Sequence, residues 1–365
     1  MPAVTLFSAP GRVNLLGEHT DYSGGLVLPA AVDRRIRLEA TPERDFVRLT
    51  SAEEPGVVVV EAATGAWRGP PWGRYVGALV VELAELGRPP LGLVGRLEGN
   101  LPVGAGLSSS AALEVCIATA LCAHAAFELE PIALALACQR AEHRAVGVPS
   151  GVMDQAASLL GRAGHAILLD CTTLAHRLVP LPEGITLLVV DSGVRRRLEH
   201  APYALRRAEL ERGIAALGRR NPADVEPDEL DGLLENSGLD EIAAKRLRHV
   251  VAENARVRAA EWALRAGDRA ALGRLFAEGH ESLRDLFEVS TPELDLLVEL
   301  ARDEGAFAAR LTGGGFGGAI VALAESDRAA AIGEAVARRY HERVPERAAT
   351  PYLCRAVDGA RAVPG

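Results

Sequence analysis

Short apolar runs broken by glycine and proline fill the first half of the chain, and long helical periods fill the second. Residues 4–10 predict a short strand ending in a turn. Residues 11–25 are polar and punctuated by glycine, and residues 26–32 form an apolar run interrupted by Pro29. Residues 57–60 predict a strand. Tyr75, Val76, Leu79, Val80, Leu83 and Leu86 recur at helical spacing and predict an amphipathic helix packed on that sheet. A strand at 94–97 runs into a glycine loop, a long apolar helix follows Ser110, and another covers 131 to about 146, with Pro131 suited to its first turn. Strands return at 166–169 and 185–190. Helices rich in Arg, Glu, Ala and Leu dominate from Pro202, and a last strand at 319–324 follows a run of glycines. The pattern divides most simply into two α+β lobes, residues 1–183 and 184–365. The end after Val357 either frays or packs back on the first lobe. Periodicity alone is equally compatible with a doubly wound sheet.

Composition narrows the classes. A chain of 365 residues, 48% hydrophobic and 24% charged, is globular and long enough for two cores. Its net charge of −9 argues against a nucleic-acid partner, whose phosphates it would repel. The amino terminus lacks the charged, apolar and small-residue succession of a signal peptide, so none is expected. The longest apolar stretch, 111–127, carries Glu114, Thr119 and His124. A membrane span needs about 20 mostly apolar residues and tolerates a central carboxylate poorly, so this stretch reads as a buried helix. Cys116, Cys122, Cys138, Cys171 and Cys354 have neither CxxC spacing nor a zinc-like histidine pattern, and an odd count fits reduced thiols in a cytoplasmic protein. Lysine occurs once, at Lys245, on a charged helical face. A Walker loop requires Gly-Lys-Ser/Thr, so any nucleotide here must sit in another phosphate cradle.

Three loops supply candidate chemistry. In Leu101-Pro-Val-Gly-Ala-Gly-Leu-Ser-Ser-Ser-Ala-Ala-Leu-Glu, Gly104 and Gly106 let backbone approach a ligand, and Ser108, Ser109 and Ser110 suit a helix cap. The following helix aims its free N–H groups and dipole at the loop, which makes a triphosphate site without lysine. An ordinary Gly-Ser cap is the plainer alternative, and three consecutive serines exceed what a cap requires. This segment resembles the phosphate loop of the kinase superfamily named for galactokinase, homoserine kinase, mevalonate kinase and phosphomevalonate kinase. Next, Ala9-Pro-Gly-Arg-Val-Asn-Leu-Leu-Gly-Glu-His-Thr-Asp-Tyr-Ser-Gly-Gly places Arg12, Glu18, His19 and Asp21 within ten residues. A sugar offers only neutral hydroxyls, so selection needs such a fixed polar set. A solvated loop with scattered charges is the alternative, and the segment resembles the galactokinase signature over its whole length. Finally, Leu311-Thr-Gly-Gly-Gly-Phe-Gly-Gly resembles the superfamily's carboxy-terminal glycine motif, where backbone passes close to the phosphates or the first loop.

The resemblance implies an α+β fold of two lobes, each a mainly antiparallel sheet with helices against it. The amino-terminal lobe would share its fold with ribosomal proteins, and the active site would lie in the cleft between lobes. It also implies ATP-dependent phosphorylation of the anomeric hydroxyl of galactose, the first committed step of galactose catabolism, with magnesium as the metal. Phosphoryl transfer mainly needs positioning, charge neutralisation and a place for the hydroxyl proton. The segment from Cys138 to Gln155 contains two acids, Glu142 at a helix end and Asp154 after a Pro-Ser-Gly turn. By resemblance, Glu142 and the Ser110 hydroxyl hold magnesium, Asp154 is the general base, and Arg12 stabilises the developing charge. Glu18, His19, Asp21, Gly151 and Tyr203 are the sugar's other contacts. Gly104, Ala105, Gly106, Leu107, Ser108, Ser109, Ser110 and Ala111 hold the nucleotide. Sequence leaves two roles for Asp154 open, early proton removal or orientation of a loose transition state. A helix cap for Asp154 and a solvated helical acid for Glu142 are the structural alternatives. Arg195 precedes Tyr203 by eight residues, as in galactokinases. Trp72 either borders adenine or packs in the core.

Departures from the family pattern are small: Ser23 stands where Asn is common, and Ser150 and Ala319 where some members carry Cys. Rival readings are a kinase of arabinose, N-acetylgalactosamine or galacturonate, and a silent galactose and ATP sensor. Such sensors lack a Ser-Ala pair in the phosphate loop, whereas residues 108–112 are intact here. The expected partners are galactose and ATP, without nucleic acid or membrane, in a monomer or weak homodimer.

Overall fold

The computed structural model describes residues 4–102, 104–147, 149–195, 201–218, 220–235 and 237–363, so residues 196–200 of the stretch before Tyr203 lie outside the described residues. The first half runs β1 (Thr5–Asn14), β2 (Leu26–Val27), β3 (Pro29–Glu43), β4 (Phe46–Ser51), β5 (Val57–Glu61), β6 (Trp67–Arg68), α1 (Gly73–Glu85), β7 (Gly92–Gly99), α2 (Ser109–His124), α3 (Pro131–Val146), α4 (Met153–Leu160), β8 (His165–Asp170), β9 (His176–Pro180) and β10 (Ile185–Asp191). The second half runs α5 (Ala201–Ala216), α6 (Pro227–Leu234), α7 (Glu241–Ala266), α8 (Arg269–Asp285), α9 (Pro292–Asp303), β11 (Ala308–Thr312), β12 (Ala319–Glu325), α10 (Ala329–Arg343), β13 (Thr350–Cys354) and β14 (Arg361–Val363).

The architecture is mixed α+β, as expected, with three sheets. A seven-stranded sheet has the order β14-β1-β3-β7-β4-β5-β6, antiparallel except where β4 pairs parallel with β7. A four-stranded antiparallel sheet has the order β11-β12-β10-β13. The third sheet, β2-β8-β9, was not expected. The first core lies between the seven-stranded sheet and α1, α2 and α3, around Phe7, Leu38, Leu79 and Ile117. A second core joins Val13 and Leu28 to Phe276 and Val321, so apolar packing is continuous from the first strand to helices α7 and α8. A third backs the four-stranded sheet with α9 and α10. Helix α2 is apolar nearly all round, which fits its burial between sheet and helices.

Three differences from the sequence pattern matter for the site. Strand β1 does not turn at residue 10 but continues to Asn14 across a register shift between Pro10 and Arg12. Gly11 sits at that shift, where a Cβ would lie 2.5 Å from the Leu107 carbonyl oxygen, and Arg12 N–H donates to the same oxygen at 3.1 Å. Glycine thus lets the first strand touch the phosphate loop. Strand β3 runs far beyond the apolar stretch because Leu38 and Ala40 point inward while Arg37 and Glu39 point out, a period of two rather than a run. Residues 358–363 are held in place: β14 pairs antiparallel with β1, and Arg35 donates to the Asp358 and Gly359 carbonyls at 2.9 Å each. That pairing covers the exposed edge of β1.

Candidate active site

A cleft of about 810 Å³ collects Arg12, Glu18, His19, Asp21, Glu142, Gly151, Asp154 and Tyr203 from five separate segments. Gly104, Gly106, Leu107 and the serines Ser108, Ser109 and Ser110 also line it, with Gly313, Gly314 and Gly315 of the late glycine motif. Ala105 and Ala111 belong to the same loop and first turn but are buried behind it. Trp72 does not line the cleft: it precedes α1 and stands partly buried against the amino-terminal core. Arg74 and Tyr75, one step further along, line it instead, with the Arg74 guanidinium 5.3 Å from the Tyr75 ring centre.

The serines do not act as helix caps. Ser108 occupies the N-cap of α2 with left-handed backbone, φ 56°, and makes no capping bond. Its hydroxyl donates to Asp154 Oδ2, and Ser110 Oγ donates to Glu142 Oε1 at 3.0 Å. Two of the loop's hydroxyls are thus committed to the two acids, and the first N–H groups of α2 are left uncapped toward the cleft. Asp154 is likewise no cap. It lies in the first turn of α4 and accepts from Arg12 Nε at 2.7 Å and Nη2 at 2.8 Å, a two-pronged pairing that fixes both planes. Arg12 Nη1 donates to the Gly106 carbonyl at 2.7 Å, so one guanidinium ties the acid to the phosphate loop.

Glu142 is not a solvated helical acid. Besides Ser110, its carboxylate accepts from Ser150 Oγ at 2.8 Å and Gln155 Nε2 at 3.1 Å. Gln155 Nε2 also donates to Glu114 at 3.0 Å, and burial, with Glu142 nearby, pushes the Glu114 carboxyl well up. Ser150 is held again from α3, where Gln139 Nε2 and His143 Nε2 donate to its carbonyl at 2.9 and 2.8 Å. Gly151 follows, and a Cβ there would fall 2.0 Å from Asp21 Oδ2. Any larger residue would expel the Asp21 carboxylate from the cleft.

His19 has left-handed backbone, φ 64°, and its ring stacks on Phe287 with centres 4.4 Å apart. Its Nδ1 meets the Tyr22 hydroxyl at 2.9 Å, and the Tyr203 ring lies 5.7 Å from His19 and 5.6 Å from Tyr22. Sequence pointed to His19 and Tyr203 but missed Tyr22 and Phe287, the latter because it reads as ordinary core. The late glycine motif is anchored by Thr312, whose hydroxyl donates to the Asn14 carbonyl at 3.0 Å and accepts from Asn14 N–H at 3.1 Å. That places the motif against the amino-terminal segment.

Burial first, and Asp154 second, push the Asp21 carboxyl from 3.8 up to about 7. The folded protein therefore holds this proton more tightly than the unfolded chain. The stability it contributes is fully present below 3.8 and is lost as pH rises through about 7. Across that window the denaturation midpoint of the wild type is expected to fall relative to that of Asp21→Asn. A difference between the two that stays constant with pH contradicts this assignment.

A mixed α+β scaffold of several sheets, a serine-rich loop opening an uncapped helix and a late glycine motif in one cleft define a GHMP kinase. Residues 74–162 match the GHMP kinase N-terminal domain and residues 260–342 the GHMP kinase C-terminal domain. Residues 2–42 match the galactokinase galactose-binding signature. The galactokinase of Lactococcus lactis, solved in complex with galactose, is 33% identical, with 99% of this chain and 95% of that one covered and a TM-score of 0.93. Mevalonate kinase of Methanococcus jannaschii (18% identity, coverage 98% and 99%, TM-score 0.65) and homoserine kinase of Cytophaga hutchinsonii (19%, 99% and 97%, 0.63) share the fold. The chain belongs to the galactokinase family, ATP-dependent sugar kinases of the GHMP group. Among the described residues no helix is long and apolar enough to cross a membrane.

Proposed function

We propose that this protein transfers the γ-phosphoryl group of ATP to the anomeric hydroxyl of galactose, giving galactose 1-phosphate and ADP. The observation that carries the reading is the Arg12–Asp154 pair, set between the uncapped start of α2 and a cluster of sugar-type hydrogen-bonding groups. Asp154 accepts the proton of the anomeric hydroxyl as its oxygen forms the new bond to phosphorus. The bond from that phosphorus to the bridging oxygen of ADP breaks, and the leaving oxygen carries its electron pair away. Arg12 stabilises charge on the moving phosphoryl group, and the N–H groups opening α2 hold the remaining phosphates. Glu18, His19, Asp21, Gly151 and Tyr203 hold the sugar. Its hydroxyls each donate and accept, and the site offers both kinds of partner.

The donors at Ser110 and Glu142 fit magnesium: a hydroxyl and a carboxylate, 3.0 Å apart, both facing the cleft. Magnesium, when bound, neutralises phosphate charge. The chain's part is to hold Glu142 in place, through Ser150 and Gln155. A division into lobes 1–183 and 184–365 and a cytoplasmic setting belong to the same proposal.

The reading is tested by turnover of purified protein against galactose, arabinose, N-acetylgalactosamine and galacturonate at several magnesium concentrations. Galactose is expected to be turned over far ahead of the others. Glu142→Ala is expected to need at least about tenfold more magnesium. Turnover confined to another sugar overturns galactose as substrate, and an unchanged magnesium requirement overturns the role of Glu142.

A further inference from the structure

Glu18 is gripped from the opposite half of the chain in a way the transfer reaction itself does not explain. Arg310 on β11, Glu253 on α7 and Glu18 after β1 are 0%, 0% and 1% exposed. Arg310 Nη2 donates to Glu18 Oε2 at 2.6 Å and lies 2.8 Å from Glu253 Oε1. Glu253 is held in turn, its Oε1 accepting from Gly17 N–H at 2.8 Å and its Oε2 from Arg256 Nε at 2.7 Å. His249 Nε2 donates to the Glu18 carbonyl at 3.1 Å. Helix α7 and strand β11 therefore fix the backbone on both sides of Glu18 and one of its carboxylate oxygens.

Among the described residues the other oxygen, Oε1, is buried without a partner, although Glu18 lines the cleft. A buried carboxylate is stable only when its acceptors are satisfied, and removing one partner of a buried ion pair is strongly destabilising. A buried cluster with one carboxylate oxygen unpartnered has the form of a site completed by a donor from outside. A sugar hydroxyl is such a donor.

We propose that Arg310, anchored by Glu253, is a positioning residue for sugar recognition: it engages one oxygen of Glu18 so that the other is presented to a galactose hydroxyl. The proposal rests on the galactose reading above. Groups facing Glu18 are Arg12 from β1, His249 and Glu253 from α7, and Arg310 from β11, with Arg256 held one step away on Glu253. Burial pushes the Glu18 carboxyl up to about 7, with Arg310 opposing this and Glu253 adding to it. The ionised carboxylate accepts the sugar's hydrogen bond, so galactose affinity is expected to be full above that value and to weaken as pH falls through it. Removing Arg310 and removing the Glu253 charge must then move the midpoint in opposite directions.

The test is calorimetric galactose binding across this pH range for wild type, Arg310→Met, Arg310→Lys and Glu253→Gln, with the KM for ATP measured alongside. Arg310→Met is expected to weaken galactose binding roughly 10-fold to 100-fold and shift the midpoint upward. Arg310→Lys is expected to recover part of the loss. Glu253→Gln, nearly the same shape, shifts the midpoint downward, and the KM for ATP stays put throughout. If Arg310→Met does not fold, the lysine and glutamine variants carry the test. A wild type that binds no galactose brings down the galactose reading and this proposal with it. Wild-type binding with midpoints unmoved, or moved the same way in both variants, overturns the proposal alone.

Discussion

Asp154→Asn is expected to lower galactose-dependent kcat by roughly two to four orders of magnitude, the usual contribution of a positioned general base. Asparagine keeps the shape of the side chain but offers Arg12 one acceptor oxygen in place of two, so the change removes proton acceptance together with one prong of the pairing. Asp154→Ala is the coarser test, because it also strips Arg12 of both contacts at 2.7 and 2.8 Å and leaves only the Gly106 carbonyl. Arg12 is almost fully buried, so both variants cost stability by removing its countercharge, alanine more than asparagine. Single-turnover transfer, with ATP and galactose affinities measured in parallel, separates the two. Retention of kcat within about threefold in Asp154→Asn contradicts proton acceptance and leaves Asp154 as an orienting group.

Arg12→Lys keeps the charge and loses the geometry, and it is expected to cost about 10²–10³ in kcat. The guanidinium bridges three acceptors at once, both Asp154 oxygens and the Gly106 carbonyl. An ammonium is a point charge on a flexible stem and cannot hold a two-pronged carboxylate pairing while reaching the loop. The loss should fall on kcat more than on the KM for either substrate, since the interaction is made chiefly with charge that develops during transfer. A lysine variant with unchanged kcat would show that charge alone suffices.

The chemistry of this chain was more legible than its strands. Loops that bind phosphate and sugar require particular residues at fixed spacing, and those residues are contiguous: Arg12 to Asp21, Gly104 to Ser110, Glu142 to Asp154. Helices α1, α2 and α3 followed from period and apolar content. Strands β3 and β4 were overlooked because they alternate, with Val47 and Leu49 buried around an outward Arg48, and a search for apolar runs passes over such patterns. Helix α4 was missed because it is short and begins without a capping side chain. The serines misled in a useful way: their propensity is for caps, but tertiary partners claimed two of their hydroxyls. Trp72 shows the reverse case, where a large aromatic beside a site serves the core. The buried cluster around Arg310 had no local signal at all. Its Glu18 partner lies 292 positions away, and an arginine between alanine and leucine on a strand reads as an edge residue until the fold closes over it.

The central claim is transfer to the anomeric oxygen of galactose, and phosphorus NMR of a reaction containing ATP, magnesium, galactose and wild-type protein tests it most directly. The account predicts a phosphomonoester signal coupled to the anomeric carbon, absent with Asp154→Asn under conditions where that variant binds both substrates. Both substrates bound by the wild type with no new phosphorus signal, or a phosphomonoester signal with no coupling to the anomeric carbon, would contradict it.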